Sequence, residues 1–190
     1  MAHNLIQSGI KQLEINDFSD GVKAVLTGGQ PKVSYEEAGR ILDELFSSLQ
    51  QEQAADQAEI AAAMKKEGEE FLRANASAEG VKVLSSGLQY KVLKSGGGKK
   101  PGRNSKVRCH YEGRFVSGHI FDSSYKRGEP AVFGVSQVIA GWTEALQLMC
   151  EGDEWELYIP YNLGYGEAGA GSAIPPCAAL IFKVELLEVI

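Results

Sequence analysis

Gly141-Trp142-Thr143-Glu144-Ala145-Leu146-Gln147-Leu148-Met149 is the one helical stretch in the second half of the chain, and its setting decides the fold. Helical spacing puts Trp142, Ala145, Leu146 and Met149 on a single apolar face. The flanking sequence reads as strands: Leu88–Leu93, Lys106–Phe115, Ala131–Val135, Asp153–Tyr158 and Ala179–Glu188. Phe115-Val116-Ser117-Gly118-His119-Ile120 reads as a hairpin turn, and Gly96-Gly97-Gly98 as a loop. The pattern predicts a small antiparallel sheet with one short helix against it, an α+β arrangement.

Upstream the character changes. Twelve of the 16 aromatic residues and 16 of the 22 glycines lie after residue 79, so the first part is Gly-poor and rich in Ala, Glu and Gln. Ala78-Glu79-Gly80 and Ser85-Ser86-Gly87 mark the junction, which gives two parts, 1–80 and 81–190. In the first, Asn16 is the expected cap of a helix in which Phe18, Val22, Val25 and Leu26 recur, with Gly28-Gly29 as its stop. Ser34-x-x-Glu37, after Pro31, is a capping box. It opens a helix expected to reach about Ala78, roughly 65 Å at 1.5 Å per residue. Tyr35, Ala38, Ile41, Leu42, Leu45, Phe46 and Leu49 form an apolar stripe on its first part, whereas Gln50–Lys66 has few large apolar groups. So small a helical unit cannot bury its own stripes, which favours self-association followed by a solvated connecting helix. Gly68 is the only glycine between Leu49 and Gly80.

Charge and cysteine usage narrow the function classes. Residues 1–80 carry a net charge of −7 and residues 81–190 a net of +1. Neither part has a dense Lys/Arg stripe, so a nucleic-acid partner has no electrostatic support. Cys109, Cys150 and Cys177 show no C-x-x-C spacing and read as unpaired thiols of a reducing compartment. No apolar run reaches the ~18–20 residues of a membrane span. Met1-Ala2-His3-Asn4 lacks the features of a signal peptide. The expectation is a cytoplasmic protein, or a periplasmic one if a native leader has been removed.

Several chemical motifs fail on context. Gly164-Tyr165-Gly166-Glu167-Ala168-Gly169 matches G-x-G-x-x-G, but Pro175-Pro176 follows where a dinucleotide site needs a helix. Gly96–Lys100 lacks the spacing of a phosphate loop. His3, His110 and His119 are scattered and offer no metal-ligand spacing. Ser123-Ser124 follows Asp122 without a recognisable base, so a nucleophilic triad is unsupported. No metal and no cofactor is expected.

What remains is a series of apolar and aromatic segments: His110-Tyr111-Glu112-Gly113, Ile120-Phe121-Asp122-Ser123-Ser124, Arg127-Gly128-Glu129-Pro130 and Phe133. Val138-Ile139-Ala140-Gly141-Trp142, Gly152-Asp153-x-Trp155-x-Leu157-x-Ile159-Pro160, Tyr165-Gly166, Ile174-Pro175-Pro176, Phe182 and Val184-Glu185-Leu186-Leu187 continue it. In order and spacing these resemble the FKBP family of macrolide-binding prolyl isomerases over Leu84 to Ile190. The resemblance implies a C-terminal antiparallel half-barrel sheet wrapped on one short helix, with an apolar pocket between them. Tyr111, Phe121, Asp122, Trp142 and Tyr165 would act on the substrate. Phe133, Val138, Ile139, Ile174 and Phe182 would bind substrate or inhibitor, and Trp142 would floor the pocket. The bland alternative is that the aromatics are ordinary core; Trp155, Tyr90 and Phe115 are read as core or surface. Asp122 has its own alternative, a turn aspartate or a partner of Arg127.

The activity implied is peptidyl-prolyl cis-trans isomerisation by non-covalent stabilisation of the twisted amide, with the Tyr165 hydroxyl and the Ile139 N–H holding carbonyls and Asp122 bonding Tyr111. Implied partners are proline-containing polypeptide clients and macrolides of the FK506/rapamycin class. The competing class is a proline-segment-binding module or holdase chaperone with little turnover. The first part resembles, in layout, bacterial FKBPs of the macrophage-infectivity-potentiator and FklB type. That implies an all-α dimerisation region with a long connecting helix, hence a homodimer through the N-terminal helices. Two departures stand out. Only Met1–Gln7 precede Ser8-Gly9 where such relatives begin with a further helix, and the loop Glu167–Ala173 offers few side chains to grip a ligand.

Overall fold

The structure, a computed structural model, describes residues 14–29 and 32–190. The chain divides into two compact units, residues 1–56 and 57–190, with one helix running through the boundary. In the first unit, helix α1 (Ile15–Leu26) opens behind Glu14, whose side chain makes no capping hydrogen bond, so Asn16 lies inside the helix and is not its cap. That end is exposed, and water can satisfy its first N–H groups without a side-chain cap. Gly28, in the left-handed conformation at φ 68°, follows the helix as the sequence predicts. Helix α2 (Tyr35–Asn75) starts at the capping box, where Ser34 Oγ accepts the Glu37 N–H at 3.2 Å. Helix α1 buries none of its residues, and Phe18, Val22, Val25, Leu26, Ile41, Leu42, Leu45 and Phe46 are all exposed. Pro31 and the stretch Met1–Gln7 with Ser8-Gly9 lie outside the described residues.

The second unit is built on a seven-stranded antiparallel sheet: β1 (Val81–Val83), β2 (Gln89–Lys94), β3 (Lys106–Phe115), β4 (Ile120–Ser123), β5 (Ala131–Gly134), β6 (Glu154–Ile159) and β7 (Leu180–Val189). The order is β1-β2-β6-β7-β3-β4, with β5 also on β3. Strand β3 is long enough to hold two partners on one edge: Lys106–Cys109 pair with β5, and Glu112–Arg114 with β4. Register shifts interrupt β3 at Arg108/Cys109, in its pairing with β7, and at Gly113/Arg114, in its pairing with β4. Val107, Cys109 and Tyr111 alternate inward and are buried, while Arg108, His110 and Glu112 alternate outward. Helix α4 (Ala140–Leu146) lies on the inward face with Trp142, Ala145 and Leu146 buried, and Met149 continues the same face beyond its end. Leu157, Ile159, Leu180, Val184 and Leu186 close the core from β6 and β7.

Three short features go beyond the sequence expectation: β1, the one-turn helix α3 (Ser124–Arg127) and the 3-10 turn Tyr161–Leu163. Helix α2 stops at Asn75, three residues short of the expected Ala78. There Asn75 Nδ2 donates to Gln89 Oε1 (2.9 Å), and Gln89 Nε2 donates to the Leu72 carbonyl (2.8 Å), which ties the last turn to β2. Gly68 is the one buried residue of α2. A Cβ there would lie 2.7 Å from the Ala179 Cβ, so this glycine permits the helix to touch the segment that leads into β7.

Candidate functional site

A cavity of about 290 Å³ opens between α4 and the concave sheet, lined by Tyr111, Phe121, Asp122, Phe133, Gln137, Val138, Ile139, Trp142, Tyr165 and Phe182. Its floor is the Trp142 indole, which meets three rings edge-on: Phe182 (5.4 Å, 86°), Tyr111 (5.5 Å, 85°) and Phe133 (5.6 Å, 79°). Phe121 meets Phe182 the same way at 5.6 Å and 85°. Edge-to-face pairs of this kind prefer one mutual geometry, so each ring restrains the next. Gly113 makes the arrangement possible. A Cβ at that position would sit 2.6 Å from both Phe121 Cζ and Phe182 Cε1.

One ionised group stands in this wall. The Tyr111 hydroxyl donates to Asp122 Oδ2 at 2.6 Å, and Arg127 Nη2 donates to the same hydroxyl at 2.8 Å. Arg127 Nη1 pairs with Asp122 Oδ1, and its guanidinium lies over the Tyr111 ring, 5.4 Å from the centroid. Desolvation beside the rings pushes Asp122 upward, but the hydrogen bonds from Tyr111 and Arg127 and the Arg127 charge outweigh it. Its carboxyl is held below the ordinary carboxylate range. Tyr111 moves the other way, raised by desolvation and by its bond to Asp122, so its hydroxyl stays a donor at neutral pH. Asp122 is therefore both a wall of the cavity and the partner of Arg127.

Nine of the ten residues expected at the site meet around this cavity. The tenth, Ile174, is 4% exposed, packs in the core and bridges to Ala170 without lining the cavity. Gln137 lines it and was not expected; its place directly before Val138-Ile139 was the available signal. Arg127, expected only as an alternative partner for Asp122, reaches two site residues at once. Tyr165, 40% exposed, stands at the rim. Trp155 stacks on Tyr90 at 4.3 Å, and Phe115 packs beside Phe121 at 4.9 Å, both away from the cavity lining. The Gly164–Gly169 motif lies in the loop after the 3-10 turn, with no helix behind it.

The chain is similar to known proteins over its whole length. Residues 97–187 match the family described as FKBP-type peptidyl-prolyl cis-trans isomerase, and residues 1–92 match the domain amino terminal to it. The chain is 43% identical over 190 residues to the FKBP-type 22 kDa peptidyl-prolyl cis-trans isomerase of Escherichia coli, covering 100% of this chain and 90% of that protein. It is 42% identical over 172 residues to the outer membrane protein MIP of Legionella longbeachae, covering 90% of this chain and 74% of the relative. Among solved structures, FkpA from Escherichia coli superposes with a TM-score of 0.78 at 35% identity, over 98% of this chain and 86% of that one.

Proposed function

The chain belongs to the FKBP-type peptidyl-prolyl cis-trans isomerases, and from that premise we propose that the cavity floored by Trp142 is where it turns X-Pro bonds. The carrying observation is an aromatic cup with a single ionised carboxylate in its wall. Rotating an X-Pro amide costs ~18–20 kcal/mol in uncatalysed peptides because C–N resonance is lost at the twisted geometry. The twisted amide has a less polar carbonyl and a more pyramidal nitrogen. An apolar enclosure disfavours the planar, polar amide more than the twisted one, which is differential binding of the transition state.

In this reading Trp142, Phe133, Phe182 and Val138 receive the proline ring, and Tyr111 and Phe121 wall the turning carbonyl. The Ile139 N–H and the Tyr165 hydroxyl hold the carbonyls that flank it. Asp122 stays ionised within reach of the twisting amide. Ile174 acts from behind the loop by holding its shape. The same cup and donors suit macrolides of the FK506/rapamycin class, and proline-containing unfolded segments are the clients. A protease-coupled assay on a proline tetrapeptide tests the reading: the expected result is a rate enhancement abolished by a macrolide and lost in Asp122→Ala and Trp142→Ala variants that remain folded. Full activity in both variants would remove the cavity from consideration.

We further propose a division of labour in which residues 1–80 dimerise and connect, and residues 81–190 isomerise. Support for a homodimer comes from the apolar residues that the first unit leaves exposed on α1 and the start of α2. Light scattering of the full chain should give twice its 20.5 kDa mass, and a Leu42→Glu, Phe46→Glu variant should give the monomer mass. No helix among the described residues is long and apolar enough to cross a membrane. For location, the three free thiols support a cytoplasmic reading and the outer-membrane relative supports the envelope one. Fractionating cells that express the native gene separates the two.

A further inference from the structure

Ser123-Ser124, which the sequence offered as a failed nucleophile, holds the one-turn helix that carries Arg127 to the site. Ser123 Oγ accepts the Lys126 N–H at 3.4 Å and caps that turn. Ser124 is completely buried, and its hydroxyl reaches three groups. It accepts the Tyr111 N–H at 2.7 Å, donates to the Tyr111 carbonyl at 3.1 Å and lies 3.0 Å from His110 Nδ1. A serine hydroxyl has one hydrogen and two lone pairs. The Tyr111 N–H occupies one lone pair, and the Tyr111 carbonyl takes the hydrogen. Diverting that hydrogen to the imidazole would take a donor from a buried carbonyl. The remaining lone pair can only accept, so the imidazole must donate from Nδ1.

We propose that His110 is a positioning residue for the isomerisation: as an Nδ1–H donor it fixes Ser124, which clamps helix α3 to strand β3 and so sets Arg127 against Asp122 and Tyr111. Stacking of the His110 ring on Tyr125, 4.7 Å between centroids, orients the imidazole from the same one-turn helix. The chain of contacts is continuous, from His110 through Ser124 and α3 to Arg127, Asp122 and the cavity wall. Each link is a hydrogen bond, an ion pair or one helical turn. The inference rests on the proposed site, because Arg127 matters to the reaction only if Asp122 and Tyr111 do.

Two measurements on the full chain test it. Histidine-labelled protein in a long-range ¹H–¹⁵N spectrum should show a proton-bearing, pyrrole-type Nδ1 for His110, assigned by the signal lost in His110→Asn. A pyridine-type Nδ1 overturns the proposal whatever the activity. In the tetrapeptide assay His110→Phe, which keeps the stack and loses the donor, should lower kcat/KM about five- to tenfold, the effect of one lost hydrogen bond to a buried hydroxyl. His110→Asn, whose amide can donate from the place of Nδ1, should stay within about twofold of the parent on the same scale. The His110→Phe loss should disappear in an Arg127→Ala background, since both act through one chain of contacts. Equal activities of His110→Phe and the parent, or equal losses in His110→Phe and His110→Asn, overturn it. If Arg127→Ala is itself harmless, the site reading fails along with the inference. If Arg127→Ala is impaired and His110→Phe is not, the inference fails alone.

Discussion

Replacing Gly113 by alanine adds one methyl group at the point where two pocket rings converge. The new Cβ would lie 2.6 Å from Phe121 Cζ, 2.6 Å from Phe182 Cε1 and 2.8 Å from Phe121 Cε2. Carbon atoms rest at about 3.5–4.0 Å, so each ring must retreat by roughly 1 Å. Neither is free to do so. Phe182 stands edge-on to Trp142 at 5.4 Å and to Phe121 at 5.6 Å, and Phe121 is backed by Phe115 at 4.9 Å. Overpacking of this kind costs about 1–3 kcal/mol, and at about 2–4 °C per kcal/mol for a chain of this size it lowers Tm by roughly 2–12 °C. The larger effect falls on catalysis, because a 1 Å misplacement of positioning groups can cost about 10²-fold. The expected outcome is a folded protein by circular dichroism with kcat/KM lowered about 10- to 100-fold in the tetrapeptide assay. Gly97→Ala, where an added Cβ meets nothing within 4 Å, is the matched control and should be neutral. An alanine at position 113 that leaves both Tm and kcat/KM unchanged would refute the claim that ring geometry makes the pocket.

Arg127→Ala removes the charge and one hydrogen bond that depress Asp122 and leaves desolvation, the largest influence, pushing upward, so the acid limb of the kcat/KM profile should move to higher pH. In the parent, the ionised Asp122 is present above the ordinary carboxylate range and is lost only as pH falls through its depressed value, so activity should be flat through neutrality; an unmoved limb in the variant would separate Asp122 from the reaction. Gly68→Val should destabilise the chain by about 1–3 kcal/mol in urea unfolding, because its Cβ would press on Ala179 Cβ at 2.7 Å. Cys109, fully buried and raised by burial to about 12, should resist alkylation in the native protein. Mass spectrometry should find Cys150, which is only half-buried, modified well before it.

How much was legible in the sequence follows the physics of each feature. The sheet and its helix could be read because alternation along β3 and the four-residue rhythm of Trp142, Ala145, Leu146 and Met149 are local patterns that tertiary packing preserved. The Ser34 cap was legible for the same reason, while the Asn16 cap was overruled because an exposed helix start needs no particular side chain. Strand β1 and helix α3 are too short to show a period. They exist through pairing with β2 and through the Ser123 and Ser124 hydrogen bonds. At the candidate site, the aromatic residues stood out through their resemblance, in order and spacing, to the FKBP family. Gln137 did not, because a polar residue on a rim looks like any loop residue. Ile174 illustrates the converse: an apolar side chain near a pocket can serve it by packing behind the loop, and residue type alone does not separate lining from support. The Arg127–Asp122–Tyr111 cluster joins residues 5 and 11 positions apart in sequence, which only the fold of β3 onto β4 and α3 brings together.

The most direct test of the account is exchange NMR on an X-Pro tetrapeptide in the presence of ¹⁵N-labelled full-length protein. The account predicts cis-trans exchange accelerated by a catalytic amount of protein, with amide and indole shift changes during turnover concentrated at Ile139, Trp142 and Tyr165. Accelerated exchange with shift changes centred elsewhere, for example at Phe71 and Tyr158 on the far side of the sheet, or no acceleration at all, would contradict it.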